Sequence, residues 1–258
     1  FRKDNLKMTD LILCGCGGKM GAAVRELASA REDCRIVAGV DLACQNSGLH
    51  FPVYRALSEV NEAADCIIDF SHPSTLPSIL NYCRTHPGTS AILCTTGYSE
   101  EQTADIRDAA EELPLFYSRN MSLGINLLIE LAKKAEAVLG DAFDVEILEM
   151  HHNQKVDAPS GTALMIADAV NEVRENNMKY AYDRHSQRKK REKNEIGMHS
   201  VRGGTIVGEH QIIFAGRHEM ITLSHSAQSK ELFASGAVNA ALFMKGKGPG
   251  LYSMSDLI

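Results

Sequence analysis

The chain has 258 residues, 44% of them hydrophobic, with 27 basic and 33 acidic side chains and a formal net charge of −6. That size and balance suit one large globular domain or two modest ones. The negative charge argues against broad nucleic-acid affinity, which needs basic surface to displace counterions, but leaves room for a local Lys and His cluster that holds a small anion.

The first elements alternate between strand and helix. Residues 11–14 form a short apolar run, followed by the turn Gly15-Cys16-Gly17-Gly18-Lys19-Met20-Gly21. A helix over 22–30 carries Val24, Leu27 and Ala28 on one face. Further strands are predicted at 35–40, 66–70, 90–94 and 115–117, with a helix ending at Cys83 and another starting at a Ser99/Gln102 capping box. Repeated strand-turn-helix units imply a parallel sheet with right-handed crossovers. Ligands in such sheets bind beyond the strand carboxyl ends, where Asp41, Ser71, Thr95, Thr96 and Asn120 fall. A long helix over 123–138 with Gly140 as its C-cap comes next. A strand at 143–150 leads through a His-rich loop into a helix over 160–175. The stretches 205–215 and 219–225, with Gly216 between them, read as antiparallel neighbours. A final helix over 231–244 returns to the first domain. The expectation is an α/β parallel-sheet domain (1–122, completed by 231–258) plus a central α+β domain (123–230) with an open, mostly antiparallel sheet.

The seven cysteines are Cys14, Cys16, Cys34, Cys44, Cys66, Cys83 and Cys94, an odd number, mostly in apolar stretches. They read as buried free thiols in a reducing compartment, so the expected location is cytoplasmic. Cys14-x-Cys16 is too tight for the usual zinc pair. No apolar run approaches the ~18 residues of a membrane span. The start, Phe1-Arg2-Lys3-Asp4, shows no signal-peptide core and no initiator Met, so upstream residues are expected to be missing. The basic stretch 184–193 reads as a solvated, mobile loop in an otherwise acidic protein.

Two segments carry chemistry. Gly15, Gly18 and Gly21, with Gly17 extra, follow a strand and open a helix, and Asp41 ends the next strand. This is the context of a dinucleotide fingerprint: a tight turn, close backbone approach to a pyrophosphate and an acid for the ribose hydroxyls. Asp41 repels a 2′-phosphate, and its neighbour Leu42 offers no cation. NADH is therefore expected over NADPH, with Lys19 partly rescuing NADPH. The second segment is His151-His152-Asn153-Gln154-Lys155-Val156-Asp157-Ala158-Pro159-Ser160-Gly161-Thr162-Ala163. Pro159 suits a first helical turn, and Ser160, Gly161 and Thr162 would then offer N–H groups to a carboxylate. Lys155 adds a mobile cation, and His151 and His152 are proton carriers. Polar surface and a metal pair with Glu149 or Asp157 are the competing readings. Adjacent residues of an extended segment face opposite ways, which disfavours joint coordination, and no metal is expected.

These residues are similar to those of the 4-hydroxy-tetrahydrodipicolinate reductase (dihydrodipicolinate reductase) family. The motif E-x-H-H-x-x-K-x-D-A-P-S-G-T-A stands at 149–163. The resemblance continues through Gly15 to Gly21, Thr95-Thr96-Gly97, Asn120-Met121-Ser122, Arg202-Gly203-Gly204, Gly208-Glu209-His210 and Phe233-Ala234, over nearly the whole chain. It implies a Rossmann domain built from both chain ends, a central domain that tetramerises through its sheet, and a hinge. It implies hydride transfer from NADH or NADPH to a cyclic dicarboxylate in the diaminopimelate route to lysine. By the resemblance His151 is the acid/base residue and Lys155 the proton donor. His152, Lys155, Gly161 and Thr162 hold the carboxylates. Two carboxylates on a flat ring need fixed donors on both sides, and Lys230 is a candidate for the second cation. The cofactor contacts are Gly15, Gly17, Gly18, Lys19, Met20, Asp41, Thr95, Thr96, Asn120 and Met121. The chain departs from the family at Cys94, Arg119 and Lys230, where glycine, a small residue and arginine are commoner, and the 184–193 loop lacks glycines. Two other functions stay open on the residues alone: an NADH-binding sensor without turnover, and a dehydrogenase of another amino-acid precursor.

Overall fold

A computed structural model describes residues 8–43 and 48–258. The chain divides into two units, Phe1–Leu123 with Glu231–Ile258, and Gly124–Lys230. The elements run β1 (Thr9–Cys14), α1 (Lys19–Ser29), β2 (Cys34–Val40), β3 (Val53–Tyr54), β4 (Cys66–Asp69), α2 (Leu76–Thr85), β5 (Ser90–Leu93), α3 (Glu100–Ala109) and β6 (Pro114–Tyr117). Then come α4 (Leu123–Leu139), β7 (Asp144–His151), α5 (Gly161–Val173), β8 (Lys179–Ala181), β9 (Glu195–Arg202), β10 (Gly208–Ala215) and β11 (Met220–Ala227). The chain finishes with α6 (Glu231–Met244) and β12 (Gly250–Tyr252).

The first unit is a seven-stranded parallel sheet in the order β12-β6-β5-β4-β1-β2-β3. Its central strands are continuous apolar runs because both faces are covered. Leu11, Leu13, Ile68 and Phe116 pack with Val24 of α1 and Ala237 and Ala241 of α6. Ile12, Ile67, Leu93 and Leu115 face the other way, onto Ile79 of α2 and Ile106 of α3. Helix α6 lies close because Gly236 has no side chain: a Cβ there would clash with the Met121 carbonyl. The capping box forms as expected, with Ser99 and Gln102 exchanging side-chain and backbone hydrogen bonds. Six cysteines are free and buried, and Cys44 lies outside the described residues. Burial pushes the Cys14 and Cys94 thiols well up, which makes them poor nucleophiles.

The second unit is a five-stranded sheet, β11-β10-β7-β9-β8. Strand β10 runs antiparallel to both β7 and β11, while β9 runs parallel to β7 and β8. Helices α4 and α5 cover one face, where Ile125, Leu128 and Ile166 meet Val145, Ile147, Ile212 and Phe214. Arg174, the C-cap of α5, reaches the buried Glu136 of α4.

Two expectations change here. The 184–193 stretch is not simply a solvated loop. Arg184 pairs with Glu146 and Glu195, at 2.7 and 3.0 Å. Arg191 reaches Asp144 and Glu146 and donates to the Val145 and Glu195 carbonyls. Asp144 and Glu146 of β7, distant in sequence, and the nearby Glu195 of β9 supply the partners. The helix expected over 160–175 begins at Gly161, because Ser160 is its N-cap and accepts a hydrogen bond from the Ala163 amide. Pro159 therefore precedes the cap rather than opening the first turn, and the Ala158–Pro159 peptide is cis. Among the described residues no helix is long and apolar enough to cross a membrane.

Candidate active site

In the first unit the glycine turn links β1 to α1. Gly15 has φ +77°, and a Cβ there would meet the Phe70 carbonyl. At Gly21 a Cβ would meet the Gly15 carbonyl, so the helix packs directly on the turn. The N-cap, Gly18, contributes no side-chain cap, and the first turn of α1 has no acidic residue. The positive helix end is left for an anion. Lys19 and Met20 open α1. Asp41 follows β2, and its carboxylate accepts from the Gly17 and Ala43 amides, both at 2.9 Å. Gly15, Gly18 and Asp41 line one cavity of about 620 Å³. A glycine-rich turn, an uncapped helix and an acid along one cavity fit the diphosphate and ribose of a nicotinamide dinucleotide.

The loops after β4 and β5 are tied together by a group that sequence reading missed. Asp69 is fully buried at the end of β4. Its carboxylate accepts from the Ser71 amide and hydroxyl, from Thr95 Oγ1 at 2.7 Å and from Tyr98 OH at 3.2 Å. Burial raises its pKa, while those donors oppose the rise. Thr95 is thus buried and structural through its side chain, whereas Thr96 is exposed. Asn120 turns inward to accept the Ser122 amide at 2.8 Å. The Met121 side chain packs in the core, and the Asn120 carbonyl accepts from Ser118 Oγ at 3.0 Å.

In the second unit, strand alternation puts Glu149 and His151 on one face of β7, facing the start of α5. Glu149 is fully buried. Arg202, from β9, grips both of its oxygens at 2.7 and 2.8 Å. Burial opposes its ionisation, yet the hydrogen bonds, Arg202 first, prevail and hold its pKa down at about 2. A carboxylate that stays charged only accepts. It takes the Nδ1–H of His151 at 2.6 Å. Nε2 is then the working nitrogen of His151. Gly208 leaves it room, since a Cβ there would stand 3.0 Å away.

The same carboxylate accepts the Ser160 amide at 3.2 Å, so that N–H is not free for a substrate, contrary to the sequence reading. Ser160 Oγ lies 3.0 Å from Nε2 of His210, a buried residue of β10. Burial lowers the His210 pKa to about 4, helped by the nearby His151, so this ring is neutral near pH 7. Gly161 is exposed and Thr162 follows it at the helix start. His152 is half-buried, and its carbonyl accepts the Lys155 amide in a turn. The Lys155 ammonium rests against Asp157 at 2.8 Å. Arg202 and His210 carried no assigned role in the sequence; the E-x-H spacing alone hinted at Glu149. Among the described residues no group of three or more His, Cys, Asp or Glu side chains is placed to hold a metal.

Known proteins give the context. The profile described as "Dihydrodipicolinate reductase, N-terminus" matches residues 9–121, and "Dihydrodipicolinate reductase, C-terminus" matches 124–258. The chain belongs to the dihydrodipicolinate reductase family. It is 51% identical, over 97% of its length and 98% of the relative's, to the 4-hydroxy-tetrahydrodipicolinate reductase of Caldanaerobacter subterraneus subsp. tengcongensis. The corresponding enzyme of Clostridium novyi is 45% identical over 97% of this chain and 98% of its own. A dipicolinate-bound dihydrodipicolinate reductase from Paenisporosarcina sp. TG-14 superposes with a TM-score of 0.81 at 27% identity, covering 98% of this chain and all of that one. A myo-inositol dehydrogenase from Corynebacterium glutamicum, at TM-score 0.60 and 14% identity over 94% of this chain and 90% of its own, shares the fold. Family membership makes the chain an oxidoreductase, and a nicotinamide cofactor goes with its N-terminal fold.

Proposed function

We propose that the protein reduces 4-hydroxy-tetrahydrodipicolinate, by way of dihydrodipicolinate, to tetrahydrodipicolinate in the diaminopimelate route to lysine. The observation that carries this reading is the Arg202–Glu149–His151 chain beside the start of α5, in a member of this reductase family. NADH or NADPH, when bound, supplies the hydride. Gly15, Gly17, Gly18, Lys19 and Met20 hold its diphosphate, and Asp41 holds the adenosine ribose and favours NADH. The backbone around Thr95, Thr96, Asn120 and Met121 receives the nicotinamide end.

Hydride arriving on a conjugated ring leaves negative charge that a positioned proton must quench. Lys155 delivers that proton. His151, with Nδ1 fixed by Glu149, acts as acid/base through Nε2. The substrate carboxylates take His152, Lys155 and the amides of Gly161 and Thr162. The ammonium of Lys155 must exchange Asp157 for substrate, and a dianionic ring is a stronger partner than an exposed aspartate.

The working form is a homotetramer in the cytoplasm. Buried free thiols support the compartment. The face of the second sheet opposite α4 and α5 supports the assembly, for it carries Leu148, Met150, Val201, Ile213 and Met220. The direct test follows NADH absorbance with the condensation product of pyruvate and aspartate semialdehyde. Rapid NADH loss is the expected result. Intact NADH binding with unchanged absorbance would replace the enzyme reading with a sensor.

A further inference from the structure

The cavity beside the glycine turn holds a cation that the chain order hides. Strand β3 pairs in parallel with β2, Gly39 opposite Val53 and Val40 opposite Tyr54. The Asp41 amide continues the ladder by donating to the Tyr54 carbonyl at 2.9 Å. One residue further on, Asp41 and Arg55 leave the two strands side by side. Both line the same cavity of about 620 Å³ as Gly15 and Gly18.

The two side chains are held differently. Asp41 is fixed, with one oxygen on the Gly17 amide and the other on the Ala43 amide. Those contacts aim it at the turn. Arg55 is anchored through its backbone, its amide donating to Glu59 at 3.0 Å. Its exposed guanidinium makes no ion pair among the described residues. Across the cavity His72 spends Nδ1 on the Ser74 amide, so its remaining nitrogen, Nε2, carries the proton and is a donor.

An acid beside the ribose site repels a phosphate on the 2′ position. An unspent guanidinium one strand away offsets that repulsion, and its planar fork suits phosphate oxygens. We propose that Arg55 is the specificity-determining residue that receives the 2′-phosphate of NADPH, so that this reductase accepts both dinucleotides despite Asp41. The assignment rests on the reading that a nicotinamide dinucleotide binds along the glycine turn. It replaces the view that Leu42, next in sequence to Asp41, leaves the site without a cation beyond Lys19.

The test is equilibrium binding by fluorescence titration of NADPH and NADH on the full chain, for wild type, Arg55→Ala, Arg55→Lys and Lys19→Ala. Competition by adenosine 2′,5′-bisphosphate against 5′-AMP isolates the phosphate. In Arg55→Ala the NADPH dissociation constant is expected to rise roughly tenfold more than that for NADH, as loss of a charge-assisted phosphate contact dictates. Arg55→Lys should fall between, and 2′,5′-bisphosphate should lose its advantage over 5′-AMP. Equal shifts for both dinucleotides in Arg55→Ala, or a selective NADPH loss in Lys19→Ala alone, would overturn the assignment. Failure of wild type to bind either dinucleotide would sink the cofactor reading itself and the assignment with it.

Discussion

At the scale of single residues, Glu149 decides what the site can do. It is the acceptor that fixes the His151 ring and also the acceptor for the Ser160 amide, and Arg202 keeps it ionised. Glu149→Gln keeps the shape but replaces one acceptor oxygen by an NH2 group that cannot accept the imidazole N–H. Turnover should fall about 10²-fold, the scale of a misdirected acid/base group, with little change in NADH affinity. Steady-state rates set beside NADH titration check this, and wild-type turnover in the variant would remove His151 orientation from the mechanism. Acid stability follows from the same residue. Its pKa is about 2 when folded against an ordinary 4.5. The stabilisation is complete above pH ~4.5 and disappears as pH falls towards ~2, amounting to about 3 kcal/mol. Urea unfolding of the second unit between pH 3 and 6 should therefore show a steeper loss in wild type than in Glu149→Gln. Lys155 belongs at this scale too. Lys155→Ala should abolish most turnover and leave NADH affinity nearly intact; a variant as active as wild type would deny its part in proton delivery.

At the scale of elements, loops are held at the carboxyl edge of the first sheet by groups that are not themselves reactive. Asp69 gathers Ser71, Thr95 and Tyr98, and so ties the β4 and β5 exits into one piece. Asp69→Ala strands these buried donors, at a cost of about 1–3 kcal/mol. The melting temperature should drop and the KM for NADH should rise more than kcat falls, and an unaltered KM would show that the tie does not reach the cofactor. Which of this was legible in the sequence depends on contiguity. Strands β1, β4 and β5 stood out because burial on both faces demands unbroken apolar runs. The glycine turn and the His151 to Ala163 stretch were visible because their chemistry lies within one local segment. Strands β3 and β12 have two and three residues, too few for a pattern. Strand β9 was hidden by Gly197 and His199, which make sense only against Glu146: its carboxylate lies over the glycine and takes His199 Nε2 at 2.6 Å. Arg202 and His210 escaped for the same reason. The partner of Arg202 is set by sheet register across 53 residues and that of His210 by the N-cap of α5 across 50, and no spacing within one strand announces either. Arg55 is a further instance, brought to Asp41 by a two-residue ladder.

At the scale of the whole molecule, the second sheet has two faces of different character. One is sealed by α4 and α5. The other mixes Leu148, Met150, Val201, Ile213 and Met220 with Gln211, Thr222 and Ser224, and Val201 and Met220 are 42% and 66% exposed. Scattered apolar residues on a surface need no explanation, but a set aligned by register across four strands supports the proposed assembly. A copy of the same chain is the natural partner, since closed symmetric assemblies bury one patch against its own image. The wild type should therefore run at about four chain masses by light scattering. Ile213→Glu places a charge at the centre of that face, opposite Thr222 on one side and Glu146 on the other. An uncompensated charge in an apolar interface costs more than the contacts around it return. The variant should dissociate to smaller species while NADH affinity, which belongs to the other unit, stays within about twofold of wild type, the scatter expected for uncoupled sites. A wild type that already runs as a single chain would discard the assembly and leave the sheet face without an assigned role.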